Sequence, residues 1–155
     1  MPALQRQTPR PMWLSGADGR PIMLGTLDTP FDHDAVIFAV DTAVELGQRL
    51  IIANFVERPP LPLSAMLGYD DLPYTPEMAE SLQEPARLAQ ELGVEVTRLR
   101  VKSFHPIQAM LQVISEQGAG LFVFGPDQRK ISKLLYRRAA RTIRSKVTAL
   151  VWLAE

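Results

Sequence analysis

Gly120-Leu121-Phe122-Val123-Phe124-Gly125-Pro126-Asp127-Gln128 decides which fold this chain adopts. An unbroken run of Leu, Phe, Val and Phe ends abruptly on a glycine and a proline. A run this short, bounded by turn residues, reads as a strand covered on both faces. Beyond it a basic helix between Ile131 and Lys146 leads to a second uncharged strand, Ala149-Leu150-Val151-Trp152-Leu153. Strand, glycine turn, helix and strand form the repeating unit of a parallel α/β sheet. The turn is where such a sheet holds ligands, because strand C-termini and helix N-termini converge there.

The same unit recurs upstream. Pro21 to Leu27 is a first apolar strand running into Asp28. Asp32-His33-Asp34 then precedes a helix that places Val36, Val40, Ala43 and Val44 on one face and stops at Gly47. Leu50 to Val56 is the next strand. From Arg58 to Pro76 the chain carries Pro59, Pro60, Pro62, Pro73 and Pro76, an excursion suited to a lid or a partner-facing loop. A helical stripe of Leu82, Ala86, Ala89 and Leu92 follows, with Gly93 as its stop and Pro85 expected to kink or restart it. Val94 to Val101, interrupted by Glu95, Arg98 and Arg100, has the composition of an edge strand. Pro106 opens another helix with Ile107, Met110, Leu111 and Ile114 at core spacing, closed by Gly118. The order βαβαβαβαβ with right-handed crossovers predicts one doubly wound five-stranded parallel sheet with helices on both faces. Residues 1–20 stand apart as an N-terminal extension, with Met12-Trp13-Leu14 either a short strand or disordered, and residues 21–155 form the domain.

Composition narrows the function classes. The 155 residues are 46% hydrophobic and 22% charged, as expected of a globular domain. Cysteine is absent, which removes disulfides and thiolate metal sites and fits a cytoplasmic protein. Neither a signal-peptide-like leader nor an apolar run long enough for a membrane span is visible. Of 17 basic and 17 acidic residues, eight and two fall from Asp127 onward, so a basic C-terminal third balances an acidic remainder. That polarity fits self-association or an anionic ligand as well as it fits nucleic acid.

With these landmarks in place, the chain resembles the universal stress protein family from about Pro21 to Leu153. Ile22-Met23-Leu24-Gly25-Thr26-Leu27-Asp28 is similar to that family's first strand closing on an aspartate, and Phe122-Val123-Phe124-Gly125 to its fourth. The distance from Gly125 to Leu153 matches its phosphate loop, last helix and last strand. The resemblance implies an adenine-nucleotide-alpha-hydrolase-like sheet of order 3-2-1-4-5 and a homodimer formed through the fifth strand. Leu150, Val151, Trp152 and Leu153 would then form an uncharged sheet edge, which proteins normally blunt unless it is paired.

In the family's ATP-binding branch the fourth strand is followed by Gly-x-x-Gly, nine residues, then Gly-Ser or Gly-Thr. The glycines admit the triphosphate to bare backbone, and the hydroxyl residue starts a helix whose free amides receive it. Here Gly125 matches, but the next three positions are Gln128, Arg138 and Ala139, and Pro126 removes an amide. The motif is degenerate, and the resemblance then implies a dimeric binding or regulatory module in stress response without ATP, without catalysis and without a cofactor. An unidentified protein partner would meet it through the proline-rich excursion or the extension. The alternative is a nucleotide sensor that takes ATP or AMP with Mg²⁺. Asp28 and Phe55 would then serve the adenine pocket, Gly125 the turn, and Arg129, Lys130 and Arg138 the phosphates through their side chains.

Three other patterns have plainer readings. Asp28, Asp32, His33 and Asp34 cluster like metal ligands, but Asp32 fits a helix cap and no second histidine is near, so no metal is expected. His105 before Pro106 marks the start of a helix, with Ser103 as its cap. Lys133, Arg137, Arg141 and Arg144 line one side of the last helix, opposite Ile131, Leu134, Leu135, Ala139 and Ile143. With only Tyr136 as an aromatic platform, that basic stripe reads as a solvated or dimer-facing surface in preference to a nucleic-acid site.

Overall fold

The computed structural model describes residues 19–57 and 76–154. Among these described residues the elements follow in the order β1 (Ile22–Thr26), α1 (His33–Leu46), β2 (Leu50–Glu57), α2 (Pro76–Glu91), β3 (Val96–Ser103), α3 (Pro106–Gln117), β4 (Leu121–Phe124), α4 (Lys133–Lys146) and β5 (Leu150–Leu153). All strand pairings are parallel and the order is β3-β2-β1-β4-β5, as the resemblance implied. The extension, except for its last residues Gly19 and Arg20, and the proline-rich excursion up to residue 75 lie outside the described residues.

Period-two alternation in apolar strands produces two cores. Ile22, Leu24, Leu50, Ile52, Leu121 and Val123 point to the side covered by α1 and α2, where they meet Ala35, Val36, Ala39, Val40, Ala43, Ala86 and Ala89. Met23, Ile51, Ala53, Phe55, Phe122 and Phe124 point to the other side, onto Met110, Ile114, Ala139 and Ile143 of α3 and α4. Three helix boundaries follow from local chemistry. Asp32 caps α1 by accepting the Ala35 N–H at 3.0 Å. Gly47 and Gly118 end α1 and α3 in the left-handed conformation that glycine adopts without a steric penalty.

Several local expectations fail. Val44 is 44% exposed, and the buried face of α1 runs through Val36, Ala39, Val40 and Ala43 instead. Leu92 is exposed because it lies past the end of α2, in the turn that Gly93 closes. Leu134 is 72% exposed, since α4 starts at Lys133 and presents Ala139, Ala140 and Ile143 to the sheet. Pro85 does not break α2, which is assigned as one helix of 16 residues. Its ring is buried beside Ala86, and packing offsets the one backbone rung that proline forfeits. Ser103 lies at the end of β3 and is not the cap of α3. That position is held by His105, whose N–H donates to the Ser103 hydroxyl at 3.0 Å.

Candidate functional site

The strand order reverses at β1, and a ligand-sized crevice is expected beyond the strand ends at such a switch point. A cleft of about 710 Å³ lies there, bounded by the ends of β1 and β2, the start of α3 and the inner side of α4. Asp28, Phe55, His105, Lys130, Ser132 and Arg138 are among its walls. Phe55 is buried and forms an apolar floor. Lys130 in the loop that leads into α4 and Arg138 within that helix supply positive charge.

Asp28 is held in an unusual way. Its φ of 51° lies in the left-handed region that asparagine and aspartate tolerate better than most side chains. Its N–H donates to Asn54 Oδ1 at 2.8 Å, which ties the end of β1 to β2. Although the residue is open to the cleft mouth, loss of water around the carboxyl raises its pKa above the ordinary 3.8, and Arg100 partly opposes that rise. A raised native pKa means that ionisation costs stability as pH climbs from about 3.8 through the native value, and the cost persists at neutral pH. Asp28→Asn keeps the backbone conformation and removes the charge. It should therefore raise Tm at pH 7 and leave it nearly unchanged at pH 3, as read by calorimetry. A lower Tm at pH 7 would show that the carboxylate is stabilising.

The loop after β4 is not an open phosphate cradle. The Gly125 N–H donates to the Gly25 carbonyl at 2.9 Å, and the Asp127 N–H to the Pro30 carbonyl at 2.8 Å. Asp127 then takes three of the amides that follow it, those of Arg129, Lys130 and Ile131. Its Oδ1 accepts the Arg129 N–H at 3.0 Å, and its carbonyl accepts those of Lys130 and Ile131 at 2.9 and 3.1 Å. The helix cap comes next: Ser132 Oγ accepts the Leu135 N–H. Donors already committed to protein acceptors are not available to a phosphate.

Each expected site residue can be placed. Asp28, Phe55, Lys130 and Arg138 line the one cleft. Gly125 and Arg129 are not among its lining residues. A Cβ on Gly125 would point at α1, 2.3 Å from the Ala35 Cβ, so this glycine serves close strand–helix packing. Arg129 is swung into solvent, where it binds Asp127 through Nε–Oδ1 at 3.2 Å and a second guanidinium nitrogen to Oδ2 at 3.3 Å. That pairing holds the Asp127 carboxyl below its ordinary pKa. Gln128 turns away from the cleft and donates to the Ala154 carbonyl at 2.8 Å, an acceptor it shares with the Tyr136 hydroxyl. Arg138 and Ala139 lie in the second turn of α4, with Ala139 fully buried against the sheet. Among the described residues, no group of three or more His, Asp or Glu is arranged to hold a metal.

Asp127 and Asn54 escaped the sequence reading, although signals for both were present. Pro-Asp followed by Gln-Arg is the chemistry of an aspartate turn, and Asn54 is the one polar residue inside the apolar run Leu50 to Val56.

The model of the universal stress protein family matches residues 19–153. The chain belongs to this family. Solved structures of universal stress proteins share its fold at low sequence identity. One is a family member from Burkholderia pseudomallei, with 16% identity over 90% of this chain and 97% of that one, and a TM-score of 0.62. Another, from Archaeoglobus fulgidus in complex with dAMP, has 17% identity, covers 88% and 98%, and has a TM-score of 0.58. A third, from Arabidopsis thaliana with AMP bound, has 13% identity, covers 86% and 90%, and has a TM-score of 0.51. No curated protein matches the chain by sequence. Among the described residues, no helix of this universal stress protein is long and apolar enough to cross a membrane.

Proposed function

We propose that this universal stress protein is a non-catalytic binding and association module that does not hold ATP through the family's phosphate loop. The observation that carries this reading is the internal use of the loop amides of Gly125, Asp127, Arg129, Lys130 and Ile131, the last three of them by Asp127. Arg138 and Ala139 add to it, because they sit inside a helix and have no free amides to offer. Isothermal titration with ATP and with AMP, each with and without Mg²⁺, tests the proposal. No heat with ATP–Mg²⁺ is expected, and micromolar ATP binding that demands Mg²⁺ would overturn it.

A second reading has its own support. Asp28, Phe55, Lys130 and Arg138 meet in one cleft of a size that suits a mononucleotide, and two solved relatives carry dAMP and AMP. On this reading AMP binds without Mg²⁺, its phosphate is held by side chains, and Arg138→Gln weakens it about tenfold.

Association is assigned to β5. Among the described residues this strand pairs only with β4, and its own residues are uncharged and half-buried. Leu150 and Ala154 donate their N–H groups inward, to the carbonyls of Gly120 and Phe124. By parallel-ladder alternation Val151 and Leu153 present theirs to the open side. Trp152 stacks on Phe38 of α1 with ring centroids 5.0 Å apart, so replacing it would damage the domain's own packing. The backbone offers a cleaner test. Val151→Pro deletes an outward donor and spares the β4 ladder, and it should convert a dimer into a folded monomer by light scattering. An unchanged dimer would place the interface elsewhere.

A further inference from the structure

The open edge of β5 is flanked by charge of opposite sign on the two faces of the sheet. On one face α1 borders it, because Phe38 stacks on Trp152 of β5 with ring centroids 5.0 Å apart. Asp34, Asp41 and Glu45 stand at i−4, i+3 and i+7 from Phe38, so they share its flank of the helix. All three are exposed. On the other face α4 borders the edge. One flank of α4, with Leu135, Arg138 and Thr142, looks into the cleft. The other flank lines a separate groove of about 560 Å³ with Tyr136, Arg137, Ala140, Arg141 and Arg144. This second flank lies beside β5, since the Tyr136 hydroxyl donates to the Ala154 carbonyl just past the strand.

The arginine row is built without counterions. α4 contains six basic residues and no acidic one. Arg137, Arg141 and Arg144 recur at i, i+4 and i+7, are exposed, and make no ion pair with a described residue. Like charges at that spacing oppose helix formation. The helix C-terminus compensates Arg144 in the last turn, but Arg137 and Arg141 lie before it. Ala140, only 3% exposed, gives the groove a floor close to the backbone. Tyr136 is already committed, with its ring stacked on Phe124 at a centroid distance of 5.6 Å, so the groove is not built to stack nucleobases.

Association through β5 turns this row into half of a site. Two copies of β5 that continue one sheet about a two-fold axis pair antiparallel, and the axis stands perpendicular to the sheet. Each face of one protomer then continues into the same face of its partner. The acidic rows of the two α1 helices meet on one face, and the arginine rows of the two α4 helices meet on the other. Like charges so placed oppose association until they are neutralised.

We propose that the two α4 grooves form one site across the β5 edge for a linear phosphate chain, and that this anion promotes the dimer. The proposal rests on association through β5. Each row runs about 10 Å from Arg137 to Arg144 at the helical rise per residue. Guanidinium groups fork onto phosphate oxygens, and a phosphate chain carries charge at the close spacing that two facing arginine rows require. Neither copy completes the site alone, so the anion binds the dimer in preference and tightens it by mass action.

Sedimentation of the full chain at low ionic strength tests the proposal, with short-chain inorganic polyphosphate as the probe. Polyphosphate should lower the dimer Kd at least about tenfold. Sodium chloride at the same ionic strength should tighten the dimer far less. Arg137→Gln combined with Arg141→Gln should act in two opposite senses. Without the probe the variant should dimerise more tightly than the wild type, and with it there should be no further gain. An equal effect of sodium chloride would reduce the row to screened surface charge and overturn the site. Pyrophosphate or a single-stranded oligonucleotide as effective as polyphosphate would overturn the ligand class. A response lost in Arg138→Gln and kept in the double variant would move the anion to the cleft and overturn the proposal. Val151→Pro keeps two failures apart. A dimer that Val151→Pro abolishes but polyphosphate leaves unchanged refutes the anion site alone, whereas a dimer that survives Val151→Pro refutes association through β5 and the site with it.

Discussion

Rebuilding the family's phosphate motif by Gln128→Gly, Arg138→Gly and Ala139→Ser should destabilise this protein by about 3 kcal/mol without creating an ATP site. Glycine at 138 sits inside α4, where it costs about 1 kcal/mol relative to a good helix former. Serine at 139 brings a hydroxyl into a fully buried position, at roughly 1 kcal/mol once it bonds back to the preceding turn. Losing the Gln128 contact to the Ala154 carbonyl removes about 1 kcal/mol more. For a domain of this size the sum corresponds to a Tm lower by roughly 6–12 °C. None of the three changes releases the amides that Asp127 and Pro30 occupy, so ATP titration should remain without heat. An unchanged Tm together with new ATP binding would mean that the loop refolds readily once α4 is shortened. Asp127, and not the missing glycines, would then have been given too large a role.

Gly125→Ala should be nearly as damaging, for a purely steric reason. The new methyl group would stand 2.3 Å from the Ala35 Cβ and 3.4 Å from a Leu24 methyl, where β4 ends against the first turn of α1. Ordinary carbon–carbon contact needs about 3.5–4 Å, so strand and helix must separate. Overpacking of this kind costs about 1–3 kcal/mol. The Asp32 N–H bond to the Gly125 carbonyl ties the same two segments and cannot follow the separation without lengthening. A double-mutant cycle with Ala35→Gly isolates the clash. The pair should be markedly less destabilised than the two single changes added together, because the second removes the atom that the first strikes. Strict additivity would show that Gly125 matters for its backbone and not for its lack of a side chain. AMP or anion affinity in the cleft should survive Gly125→Ala once the protein is folded, since Gly125 does not line the cleft.

These two substitutions divide what composition and pattern determined from what folding decided. Apolar runs at Ile22, Leu50 and Leu121, with helical stripes between them, were sufficient for a doubly wound parallel sheet, because strands apolar on both faces need helices over both, which parallel crossovers supply. Helix ends at Asp32, Gly47 and Gly118 were equally legible, since caps depend on neighbours along the chain. The convergence of Asp28, Phe55, Lys130 and Arg138 was anticipated through family likeness and not through any spacing visible in the residues themselves. The start of α4 at Lys133 was not legible. It depends on Ser132 capping the helix while Ala139 and Ile143 dock on Phe122 and Phe124, a choice that tertiary burial makes. That choice also settles the fate of the loop, because a helix that begins early leaves only a short connection, and Asp127 can satisfy most of it. The orphaned amide of Asn54 belongs to the same class. One polar residue in an apolar strand was visible from the start, but only the packed sheet shows its oxygen taken by the Asp28 N–H and its nitrogen buried without a partner among the described residues.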